Sequence, residues 1–205
     1  MPSKFAILVD GGFIKKKLKA RYKHFPTIAE FDAEMTRIKA HAALAGFSLL
    51  RIYYYDAPPA SGMMTNPVSG ALMNLDAHPD YALNLGLQQT LEMQPDLALR
   101  EGETAIHGWA LGPAALKSIA KKGARPLVEK DFVPNIEQKG VDLRIGLDIA
   151  RLSLCKMVDV IVVVTGDSDM VPAFKFARRE GVRVYLDHMG HGVKRDLKVH
   201  TDLIF

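Results

Sequence analysis

Asp10, Asp142, Asp167 and Asp169 are the residues of this sequence best placed to do chemistry. Asp10 ends the apolar run Phe5-Ala6-Ile7-Leu8-Val9. Asp167 and Asp169 follow the β-branched run Val160-Ile161-Val162-Val163-Val164 after a Thr165-Gly166 turn. Continuous apolar runs of this length read as buried parallel strands, and in an open α/β sheet ligands bind at the carboxyl ends of such strands. Asp142 opens the helical pattern that leads into the second run, so all four acids are expected to converge on one sheet edge. Carboxylates crowded there without an arginine repel one another, and the usual relief is a hard divalent cation. Oxygen donors alone, with no cysteine pair, select Mg2+ or Mn2+ over zinc. An ion so held polarises a phosphate and activates water for in-line attack, which predicts phosphodiester hydrolysis. The competing reading makes the aspartates turn formers and helix N-caps, with Asp169 capping the helix it precedes.

Three neighbours are expected to support such a site from behind. Thr165 and Ser168 share the turn with the acids. Asp148 lies six residues beyond Asp142, roughly 240° around a helix, so it cannot face the same centre as Asp142. It is either a supporting group or an i,i+4 partner of Arg144.

The elements that must position these groups follow from the apolar spacing. Strands are expected at Phe5 to Val9, Phe47 to Tyr55, Val160 to Val164 and Val182 to Leu186. Helices are expected at Phe13 to about Lys23, through Thr27 to Ala45, at Tyr81 to Met93, from Val141 through Leu154 and at about Val171 to Arg179, where Pro172 lies in the first turn and Gly181 just past the end. Thr104 to Leu111 is expected to pair with Phe132 to Ile136, Pro58 to about Pro79 reads as an irregular connection, and Val193 to Phe205 as a short helix or turn closing the sheet. Strands alternating with helices imply βαβ crossovers and a parallel sheet.

The composition is that of a globular chain: 205 residues, 48% hydrophobic and 24% charged, for which one domain with a sizeable insertion is the default. The single cysteine, Cys155, excludes an internal disulfide and reads as a small buried hydrophobe. No apolar run approaches the roughly 20 residues needed to cross a bilayer. The first residues run into a strand pattern with no signal-peptide features, so a cytoplasmic protein that does not engage a membrane is expected. The formal net charge of +4 is too small to argue for a polyanionic partner. Its distribution says more: Lys15, Lys16, Lys17, Lys19, Arg21 and Lys23 fall together with no acid among them and with Tyr22 and Phe25 interleaved. Such a stripe either tracks a phosphate backbone while an aromatic ring stacks on a base, or is simply a solvated helix face.

Three segments, Ile7-Leu8-Val9-Asp10-Gly11-Gly12-Phe13, Lys139-Gly140-Val141-Asp142 followed by Leu147-Asp148, and Val163-Val164-Thr165-Gly166-Asp167-Ser168-Asp169-Met170-Val171-Pro172, together resemble the NYN domain, the LabA-like or DUF88 group within the PIN-like nuclease superfamily. The resemblance implies a PIN-like three-layer α/β/α sandwich with a mainly parallel central sheet, filling residues 1–205 apart from an irregular insertion at about 58–134. It implies a carboxylate-bound Mg2+ or Mn2+, cleavage of RNA, and Asp10, Asp142, Asp167 and Asp169 as the metal-site acids with Asp148 in support. One departure is Gly12, where many members carry Asn. Another is the segment from Pro58 to Pro134, which matches no motif and would carry whatever substrate specificity exists.

Other chemistry is less well supported. His188 and His191 lie beside Gly190 and Gly192, which favours a loop over a helical metal pair. Ser168 has no histidine tied to it by sequence, and Gly11-Gly12 lacks the spacing of a dinucleotide or P-loop fingerprint. A haloacid-dehalogenase-like phosphatase would need an acid two residues after Asp10, where Gly12 stands. Two readings remain: a metal-dependent ribonuclease acting on single-stranded RNA held by the basic stripe, and a non-catalytic RNA-binding adaptor that keeps the fold. Tyr53-Tyr54-Tyr55 and the Met-rich connection are expected to offer a surface for a homodimer.

Overall fold

The computed structural model describes residues 3–205. In chain order it contains β1 (Lys4–Asp10), α1 (Gly11–Tyr22), α2 (Ile28–Lys39), β2 (Ser48–Asp56), the short strands β3 (Met63–Thr65) and β4 (Leu72–Asn74), α3 (Pro79–Glu92), β5 (Leu97–Glu101), β6 (Glu103–Leu111), α4 (Pro113–Lys122), β7 (Phe132–Lys139), α5 (Val141–Leu154), β8 (Val160–Val164), α6 (Val171–Arg179), β9 (Arg183–Asp187), α7 (Arg195–Val199) and β10 (Leu203–Ile204). The central sheet is six-stranded in the order β10-β9-β8-β1-β2-β5, and every pairing in it is parallel.

The two apolar runs read from the sequence are the neighbouring central strands, with Ile7 opposite Val162 and Val9 opposite Val164. Alternate residues feed two separate cores, as the two-residue period of a strand requires. Ala6, Leu8, Tyr53, Tyr55 and Val163 face Ile145, Ile149 and Phe174 of α5 and α6. Ile7, Val9, Tyr54, Val162 and Val164 face Ile14, Leu18, Phe31, Met35 and Leu91 of α1, α2 and α3. Burial on both faces explains why these strands are apolar throughout, and it makes the molecule a three-layer α/β/α sandwich. Among the described residues no helix is long and apolar enough to cross a membrane.

The middle of the chain departs from the sequence reading. The connection after Pro58 is not wholly irregular: β3 and β4 form a hairpin with Met64 opposite Met73. Its strands have three residues each, too short to show a period. Leu97-Ala98-Leu99-Arg100-Glu101 is built from good helix formers, yet it is strand β5, because Ile52 to Asp56 offer it a parallel pairing edge. Local propensity has lost to tertiary pairing. That strand also overturns the proposed self-association edge: β2 is internal, and Tyr54 and Tyr55 are fully buried. β6 and β7 pair as expected, and do so as an antiparallel ribbon. Cys155, expected inside, is exposed just past the end of α5.

Candidate functional site

Because the strands run parallel, β1, β2, β8 and β9 deliver Asp10, Asp56, the Thr165–Asp169 turn and Asp187 to a single edge. Asp10 is the N-cap of α1, its Oδ1 accepting from the Phe13 N–H at 3.0 Å. Its other oxygen accepts from the buried Thr165 hydroxyl at 3.2 Å. Thr165 Oγ1 in turn accepts from the Asp167 N–H at 3.1 Å, and Asp167 Oδ1 from the Asp169 N–H at 2.9 Å. One hydrogen-bonded chain therefore links Asp10, Thr165, Asp167 and the backbone of Asp169. Gly166 belongs in this turn because a Cβ there would meet the Phe13 ring at 2.6 Å and His191 at 2.9 Å.

Asp142 begins α5 without a capping role and shares a shallow cleft of about 390 Å3 with Asp169, walled by Leu143, Leu147, Met170 and Pro172. Electrostatics tie the two halves together. Burial raises the Asp10 carboxyl above its ordinary range against the pull of its Phe13 and Thr165 hydrogen bonds, and the charges of Asp142 and Asp167 raise it further. Loss of hydration, then the charges of Asp167 and Asp169, raise Asp142 as well.

The decisive contrast lies along the edge itself. The flanking acids are neutralised by the protein. Asp56 is fully buried, pairs with Lys15 Nζ at 2.5 Å, and accepts from Gln88 Nε2 at 3.0 Å and Gln138 Nε2 at 3.1 Å. Asp187 is bonded by Arg37, which also binds Glu34. Between them, Asp10, Asp142, Asp167 and Asp169 have no cationic partner among the described residues. This donor set fits a hard divalent cation. As the side chains stand, no three acidic, histidine or cysteine groups among the described residues already meet around one point. Asp10 Oδ1 and Asp167 Oδ1 are turned instead toward the backbone N–H groups of Phe13 and Asp169.

Other expected members are placed elsewhere. Asp148 accepts from the Tyr55 hydroxyl at 2.8 Å and pairs with Arg100 at 3.2 Å. Its partner is not Arg144, which bonds the Gly140 carbonyl, and neither of its own partners belongs to the acidic group. Ser168 lies in a single turn of 3-10 helix, Ser168–Met170, capped by Asp167; Asp169, which the competing reading had capping α6, does not cap it. The basic stripe divides. Lys15 turns inward to Asp56, Lys19 pairs with Asp80 and Arg21 with Glu34, leaving Lys16, Lys17 and Lys23 without an acidic partner among the described residues. His191 packs edge-on against Phe13 instead of forming a metal pair with His188.

Asp56, Asn84, Gln88 and Gln138 were not singled out from sequence. Asp56 has the same signature as Asp10, an acid directly after a buried strand, but the prolines after it read as a simple terminator. The three carboxamides of its network, Asn84, Gln88 and Gln138, become visible only when α3 and β7 are folded against it.

The NYN domain family matches residues 105–201. Among solved structures, that of a protein of unknown function from Vibrio parahaemolyticus is similar over 99% of this chain and 91% of its own, with a TM-score of 0.53 at 15% identity, a likeness of fold alone. No curated protein matches. The matched segment includes Asp142, Asp167 and Asp169 and leaves Asp10 upstream; over it the chain is similar to the NYN domain.

Proposed function

We propose that this chain is a metal-dependent ribonuclease of the LabA-like, or DUF88, branch of NYN proteins, cleaving single-stranded RNA at the carboxyl edge of its sheet. The observation that carries this reading is the group of four carboxylates without a protein cation, set between two acids that each have one. Asp10, Asp142, Asp167 and Asp169 would hold Mg2+ or Mn2+. Held there, such an ion would supply positive charge to the phosphate and lower the pKa of a water. The chain's own part is positioning. Thr165 fixes the rotamer of Asp10 and the backbone of Asp167 with one hydroxyl, and the first turn of α1 presents its amide ends beside Asp10. Lys16, Lys17 and Lys23 extend from this point along α1 over ~20 Å of helix and turn, suited to the phosphates of a few nucleotides. Tyr22 and His24, stacked at 6.0 Å between centroids, stand at its far end. The proposed setting is the cytoplasm.

The test is Mn2+-dependent cleavage of a single-stranded RNA by the folded protein, compared with Asp10→Asn and Asp167→Asn. Cleavage lost in both variants with folding intact supports the proposal. RNA binding without turnover in the wild type, whatever divalent ion is added, establishes the adaptor instead.

A further inference from the structure

Beside the acidic group lies a second, larger cavity, about 690 Å3, within the roughly 300–1,000 Å3 of typical small-molecule pockets. It is formed by the residue 58–138 region, between the loop after β2, the start of α3 and the β6–β7 ribbon. Its walls are mostly apolar, with Pro58, Leu75, Pro79, Tyr81 and Ile136 among them, and its polar groups include Asn84 and Gln138.

The orientation of those two amides is dictated by the buried Lys15–Asp56 pair. Lys15 has only donors, so Asn84 must turn its oxygen toward it, as it does at 2.9 Å, leaving Nδ2 with no partner among the described residues. An ionised Asp56 has only acceptors, so Gln138 must turn its nitrogen toward it, at 3.1 Å, leaving Oε1 unpartnered. The ion pair therefore sets one donor and one acceptor in fixed positions within an apolar pocket.

The pocket and the acidic group meet at Gly12. A Cβ on that residue would lie 3.5 Å from Asp10 Oδ1 and 3.7 Å from Gln138 Oε1. Gln138 Oε1, on the pocket wall, and Asp10 Oδ1 are thus both within van der Waals reach of this one position, and a side chain on it would stand beside both.

We propose that this cavity is a nucleobase subsite: it receives one base of the RNA strand adjoining the phosphate at the acidic group, with Asn84 Nδ2 and Gln138 Oε1 on the base edge and Tyr81 and the prolines against its faces. This rests on the ribonuclease reading for the identity of the strand. A flat, largely apolar ring with an adjacent donor and acceptor is what such a pocket can satisfy fully, since every base has a π-face and a polar edge. A base seated here would fix the strand's register relative to Asp10.

The test uses the Asp10→Asn protein, so that RNA is bound and not consumed, and a single-stranded RNA of about eight nucleotides carrying one abasic position moved along its length. The abasic unit should weaken binding at least tenfold at one position only. Ala77→Trp, which fills the pocket from an exposed lining position, and Asn84→Asp, which keeps a partner for Lys15 but removes the donor, should each abolish that positional effect. Equal affinity for all abasic placements, or unchanged binding by the folded Ala77→Trp protein, overturns the subsite. Mn2+-dependent cleavage by the wild type is followed on the same RNA. Cleavage with no positional effect removes the subsite and leaves the nuclease. A positional effect sensitive to Ala77→Trp but without cleavage retains the subsite and removes the nuclease.

Discussion

Lys15 Nζ lies 2.5 Å from Asp56 Oδ2, and the carboxylate of this pair is wholly buried while the lysine side chain is only 13% exposed. A lysine that the sequence places in a basic stripe is therefore part of the interior. Lys15→Ala strands a buried carboxylate and the Asn84 oxygen together, and should lower stability by about 3–5 kcal/mol, the range for breaking one side of a buried pair. Urea unfolding of the two proteins measures this. A change below about 1 kcal/mol, as for exposed pairs, would show that water reaches Asp56.

Lys16 and Lys17 should behave in the opposite way. Neither has an acidic partner among the described residues, so Lys16→Ala with Lys17→Ala should leave unfolding within about 0.5 kcal/mol of wild type while weakening RNA binding. The salt dependence of binding should flatten by about 0.7 in slope for each phosphate of a single strand that the double variant no longer neutralises. An unchanged slope would place the RNA backbone elsewhere on the surface.

Thr165 is a positioning residue whose hydroxyl joins Asp10 to the Asp167 backbone. Thr165→Val keeps the shape and removes both hydrogen bonds, costing about 1–3 kcal/mol and lowering the cleavage rate at saturating RNA. The hydroxyl pulls the Asp10 carboxyl down against burial; without it that carboxyl titrates higher, and the acidic limb of the pH–rate profile should move to higher pH. Thr165→Ser should restore rate and profile together. Loss of stability with an unmoved acidic limb would reduce Thr165 to a packing role.

The layer architecture and the acidic edge were legible because both are written in local patterns: an apolar run of strand length with an acid at its end, at Val9-Asp10 and again at Val164 to Asp167. The failures share a cause. Strand β5 is composed of helix formers and exists because β2 needs a partner. Lys15 and Lys16 are adjacent and chemically alike, yet the turn of α1 sends one to Asp56 and the other to solvent. Asp148 was set apart from Asp142 correctly by helix geometry, but Tyr55 and Arg100, on β2 and β5, decide what it does instead. Pairings over such separations leave no trace in short-range spacing.

That assignment of Asp148 is itself testable. The Tyr55 hydroxyl is held in its neutral form, its ionisation pushed far up by burial and by the neighbouring Asp148 charge, and it donates to Asp148 at 2.8 Å. Tyr55→Phe leaves the carboxylate its Arg100 partner and should cost about 1–3 kcal/mol of stability with cleavage per folded molecule unchanged. A fall in rate at full folding would return Asp148 to the catalytic group.

The pH dependence of stability should carry the signature of an acidic group lacking its cation. Asp10 and Asp142 have folded-state pKa values above the unfolded carboxylate value of 3.8, so the native protein binds more protons than the unfolded chain between those limits. Stability contributed by these groups is present at low pH and lost as pH rises through the raised values. Asp10→Asn removes that penalty while asparagine still caps α1. At neutral pH the variant should melt above the wild type, by roughly 2–4 °C for each kcal/mol relieved, and the gap should close as pH falls toward the unfolded carboxylate range. Mn2+ should reverse the order. At a hundred times its dissociation constant an ion bound only by the native state adds about 2.7 kcal/mol, a gain available to the wild type and largely absent in Asp10→Asn. Thermal melting of both proteins across pH, with and without Mn2+, makes the comparison, and a wild type that is the more stable at neutral pH without metal, or indifferent to Mn2+, would remove the metal from the proposal.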